Sequence, residues 1–108
     1  MGKWQTVDIN GITIAQGDSR SLEECIEENR QRIGEKTTET IMSAGLDTAT
    51  QQNAALGIYS PERCEAIKNY IAACRNEYLR CKALILAATT NEAADSVTFI
   101  APSVEEGL

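Results

Sequence analysis

Four cysteines and a concentration of glutamates are the residues in this chain whose types could do chemistry. Histidine is absent. Its absence removes Ser–His and Cys–His nucleophile pairs, imidazole metal ligands and the commonest general base. Cys25, Cys64, Cys74 and Cys81 form no Cys-x-x-Cys pair. Cys74 and Cys81 are seven residues apart, which on a helix is about 10 Å along the axis. A disulfide needs Cα atoms within about 7 Å, and one zinc ion holds each sulfur at about 2.3 Å, so neither can join those two. Free thiols are the expectation. Cys25 falls in the first turn of an expected helix, where the helix dipole lowers a thiol's pKa, so it is the one candidate for a reactive thiol.

The carboxylates Glu23, Glu24, Glu27 and Glu28 crowd two helical turns. Paired catalytic carboxylates need surroundings that push their pKa values apart, usually by burial. A run of this kind is more often a solvated face. The oxygen spacing of an EF-hand is missing, as are a phosphate-cradling glycine loop and a Gly-x-Gly-x-x-Gly run. The chain therefore reads as a non-enzyme with no cofactor and no metal.

Charge and length set the rest of the frame. The net charge is −6 over 108 residues, which argues against nucleic acid as a partner. No apolar run reaches 18 residues, so no membrane span is expected. Met1-Gly2-Lys3-Trp4 lacks the apolar core of a signal peptide. The expected location is cytoplasmic or within a virion, without secretion by a cleaved signal peptide. Aromatic residues make up only 5% of the chain, so any core must be aliphatic and alanine-rich.

These residues have to be held by a small α+β fold. Residues 4–15 alternate apolar and polar around Asn10-Gly11, the strongest short hairpin sequence, and predict a β-hairpin with a type I′ turn. Ser21 with Glu24 three residues later matches a capping box. The helix it opens carries Leu22, Ile26, Ile33, Ile41 and Ala44 as a thin stripe, with Asn29 and Thr37 in the gaps, and is expected to end at Gly45. Asp47 to Gly57 predicts a short separate helix. Ser60-Pro61 is the clearest helix start in the chain. From there Cys64, Ile67, Ile71, Cys74, Tyr78, Cys81, Ile85 and Ala88 step by three and four without a break. The helical region is thus 21–88, two long antiparallel helices with a short one between them. A polar connector, a strand at 97–101 stopped by Pro102, and an acidic tail at 102–108 complete a single domain, 1–108.

The second long helix suggests what the protein does. Beside its seam it carries Tyr70, Ala73, Leu84 and Ala87, and residues 83–88 are apolar all round. A helix apolar on several sides is normally buried on several sides. The expected interaction residues are Ile67, Tyr70, Ile71, Ala73, Cys74, Tyr78, Cys81, Leu84 and Ile85. The leading expectation is a structural or assembly subunit whose helix pair associates with copies of itself or with a larger complex. A bacteriophage virion component fits the size and composition, with no motif behind it. The alternative is a small acidic regulatory protein that docks on a basic site of another protein.

Overall fold

The first helix begins where side chains can satisfy its open N–H groups. Ser21 Oγ accepts from the Glu24 N–H at 3.1 Å, and Glu24 Oε1 accepts from the Ser21 N–H at 2.8 Å. In the computed structural model, which describes residues 3–7, 13–104 and 108, with side chains from Asp18 onward, this reciprocal cap opens α1, Leu22–Ser43. The helix ends in a Schellman arrangement. Gly45 adopts a φ of +84°, its N–H donates to the Met42 carbonyl at 2.9 Å, and the Leu46 N–H donates to that of Ile41 at 3.3 Å. The reversal turns Leu46 into the core, where it is 1% exposed.

Asp47 then caps α2, Thr48–Ala55, with its Oδ1 2.8 Å from the Thr50 N–H. Gly57, at a φ of +73°, stops it. Ser60 caps α3, Pro61–Ala87, with Pro61 in the first turn. The polar connector holds one more helix, α4, Asn91–Asp95, capped by Thr90.

α1 and α3 lie antiparallel, because the start of one shares a cluster with the end of the other. Cys25 and Ile33 pack with Cys81, Ile85, Ala94, Val97 and Phe99 at one end. At the other end Leu46, Ala54, Cys64, Ile67, Tyr70 and Cys74 pack together, with Ile41 and Ala44 against them.

The inward line of α1 differs from the expected stripe. It runs through Cys25, Asn29, Ile33 and Thr40, whereas Leu22 lies outside. Thr40 can be buried because its hydroxyl donates to the Lys36 carbonyl at 2.7 Å, one turn back.

The α+β expectation is corrected. The packed body is helical and no strand occurs between α1 and Pro102. Lys3–Val7 (β1) and Thr13–Asp18 (β2) pair with each other antiparallel. Their backbones lie against each other rather than along α1–α4, so the expected hairpin layer against the helices is not seen. The turn expected at Asn10-Gly11 lies outside the described residues.

The expected strand at 97–101 is also absent. Its apolar alternation is real: Val97 and Phe99 are buried, whereas Thr98 and Ile100 are exposed. No neighbouring strand offers it a ladder. Helix side chains take that place. Arg32 donates to the Val97 carbonyl at 2.8 Å, Arg80 to the Thr98 carbonyl at 3.0 Å, and the Ile100 N–H donates to Glu77 at 2.8 Å. Residues 97–102 are an extended strap laid over the helix pair and held by its side chains.

Candidate interaction face

A polar assembly centred on Arg20, just before α1, holds one end of the body. The Arg20 guanidinium bonds Asp18, Glu28 at 2.7 Å and Asp95 at 2.8 Å, and so ties the chain entering α1 to α4. The hydrogen bond from Arg20 holds the Asp18 carboxyl well below the usual range. Asn29, buried on α1, donates its amide to the Cys25 carbonyl and to Asp95 Oδ1, both at 2.9 Å. Arg32 donates to Asn29 Oδ1 at 2.9 Å, which links this assembly to the strap.

Cys25 sits inside this network. Its Sγ lies 3.5 Å from both Asp95 Oδ1 and the Asn91 carbonyl, and the residue is fully buried. Burial raises its pKa, and the hydrogen bond to Asp95 raises it further by favouring the protonated donor. The helix-dipole expectation is thus overturned: a thiol that must donate to a carboxylate is a poor nucleophile. Cys74 and Cys81 are raised too, each chiefly by burial. Cys25 and Cys81 share one cluster, and all four thiols are free and buried. In native buffer a thiol-specific disulfide reagent should react slowly with every cysteine. In guanidinium without reductant it should titrate four thiols at once. A fast native phase would place a reactive thiol at the surface.

The residues read from the sequence as an interaction set divide between inside and outside. Ile67, Cys74, Cys81 and Ile85 are buried between α1 and α3 or beneath the strap. Tyr70 is buried as well, with its hydroxyl 3.5 Å from the Pro102 carbonyl. Ala73 is half-buried. Ile71 and Tyr78 are half-buried along a groove of about 340 Å³ between the long helices, whose other lining residues are Gly34, Thr37, Ile41 and Arg75. Leu84 is 49% exposed.

Two leucines outside that set share its exposure: Leu79 is 42% and Leu86 53% exposed. Their separation of seven residues, equal to that of Ile71 and Tyr78, is the signal that could have found them. Ala83 and Ala87 are exposed beside them, so the outer side of the last third of α3 is mainly apolar, with Arg80 and Lys82 its charged residues.

Among the described residues no group of histidine, cysteine or carboxylate side chains is arranged to hold a metal ion. No helix is long and apolar enough to cross a membrane. No family model matches the chain, and no curated protein or solved structure is found similar to it.

Proposed function

We propose that the protein is a non-enzymatic structural or assembly subunit that associates through α3. The observation behind this reading is the apolar outer side of that helix. Its inner side is already covered by α1, the strap and α4, yet Leu79, Leu84 and Leu86 stand 42–53% clear of any neighbour. Apolar surface grouped on one element is what protein interfaces use. A particle built of many copies, such as a virion, is one setting for such a subunit.

The alternative, an acidic protein docking on a basic site, draws less support. Several carboxylates it would use are engaged within the chain. Glu24 caps α1, Glu27 pairs with Arg30, Glu28 with Arg20, and Glu39 with Lys36.

Leu84→Asp tests association. It adds a charge at a half-exposed position, so helicity by circular dichroism should be kept. Any higher-order mass measured by light scattering should fall to that of the monomer. A variant that unfolds, or one that keeps its full assembly mass, would count against the reading.

A further inference from the structure

We propose that the open face of the helix pair takes an acidic amphipathic helix from another protein, seated along α3 beside the groove. This rests on the exposed apolar surface behind the association reading and adds a partner of another kind on the Leu79 and Leu86 side of α3. Three rows with seven-residue spacing lie side by side on this part of the helix. Ile71 and Tyr78 line the groove. Lys68, Arg75 and Lys82 form the next row, and Ala72, Leu79 and Leu86 the one beyond. A face of this form, with two apolar rows separated by a charged one, suits a helix laid along it.

The cations are set apart by what they lack. Among the described residues every other basic side chain is engaged. Arg20 holds three carboxylates, Arg30 meets Glu27, Lys36 meets Glu39, and Arg80 meets Glu77. Arg32 bonds Asn29 and Val97, and Arg63 lies 4.0 Å over the Tyr59 ring. Lys68, Arg75 and Lys82 have no such partner among the described residues, and they fall on one row. In a chain of net charge −6, this is a local basic stripe bounded by apolar rows.

Charge also selects the occupant. A second α3 would set the cationic row against its own copy, and like charges held opposite one another repel. The acidic outer face of α1 does not supply the missing helix either. Its exposed residues there, Gln31, Glu35, Thr38 and Glu39, carry no apolar row to fill the groove. The complementary partner has leucine-like residues at heptad spacing flanked by glutamate or aspartate.

Two labelled peptide probes of one length test this, both with leucine at the core heptad positions. One carries glutamate at the flanking positions and the other lysine. By fluorescence anisotropy at low salt, the full chain should bind the glutamate probe at least about tenfold more tightly. The difference should fade at 1 M salt, where the screening length is about 3 Å. Arg75→Glu with Lys82→Glu should reverse the preference, and Leu86→Asp should weaken both probes. Leu84→Asp, at the opposite edge of the exposed apolar surface from Leu79 and Leu86, should leave probe binding intact even where it abolishes assembly. Equal affinity for the two probes, or no binding of the glutamate probe, would overturn the proposal. If Leu84→Asp still removes assembly mass in that case, the association reading survives alone.

Discussion

Ile85→Ala should destabilise the protein by about 2–5 kcal/mol, the usual range for emptying a buried isoleucine site. Ile85 is 0% exposed, and it packs with Cys25, Ile33, Cys81 and Ala94 beneath Val97 and Phe99. Few of these neighbours are large, and the site is closed by side chains of α1, α3, α4 and the strap. The site therefore has little means to collapse around the missing atoms. A domain of this size has about 5–15 kcal/mol of total stability, so the loss is a large fraction of it. Urea unfolding should show the midpoint falling with an unchanged slope. Leu84, the preceding residue, provides the contrast. It is half-exposed, and Leu84→Ala should cost less than about 1 kcal/mol. If the two variants lost equal stability, the division of α3 into a core side and an open side would be wrong.

That division was legible in the sequence only on the core side. The three-four steps from Cys64 to Ile85 mark the inward face because helix periodicity is local and α1 lies along it. The caps at Ser21, Asp47 and Ser60, and the stops at Gly45 and Gly57, were legible for the same reason: each acts within four residues.

The readings that missed depend on partners far away in the chain. Asn29 looked like a polar gap in an apolar stripe. It is buried because Asp95, 66 residues later, accepts its amide proton. Cys25 was a candidate for activation by a helix N-terminus, but burial and the hydrogen bond to the same Asp95 raise its pKa instead. The five residues of α4, which bring Asp95 there, are too few for periodicity to show. The strand expected at 97–101 is absent although Val97 and Phe99 are buried between exposed neighbours. Alternation reports which side chains are buried, whereas a strand also requires a ladder, and here Arg32, Arg80 and Glu77 stand in for one.

Glu77→Ala should free that strap. The carboxylate is the anchor on which it converges: Oε2 accepts the Ile100 N–H at 2.8 Å, and the Arg80 guanidinium binds both its oxygens. Arg80 in turn donates to the Thr98 carbonyl. The hydrogen bond from Arg80 first, and the Ile100 N–H after it, hold the Glu77 pKa down to about 2 against the opposing effect of burial.

A group whose pKa is depressed on folding adds stability above its unfolded value, and that stability is lost as pH falls towards the folded one. The anchor should therefore be fully set above about pH 4.5, the ordinary value, and should weaken progressively between there and pH 2. Hydrogen exchange at the Ile100 amide reads it directly, once corrected for the intrinsic rate at each pH. A hydrogen bond to a charged acceptor contributes about 1.5–3 kcal/mol, so Glu77→Ala should speed exchange there by roughly 10–100-fold at neutral pH.

Glu77→Gln separates charge from shape. Its amide oxygen can still accept from Ile100, so part of the protection should remain, while the acid-dependent loss below pH 4.5 should disappear. Unchanged Ile100 exchange in Glu77→Ala would show that Val97 and Phe99 hold the strap by packing alone.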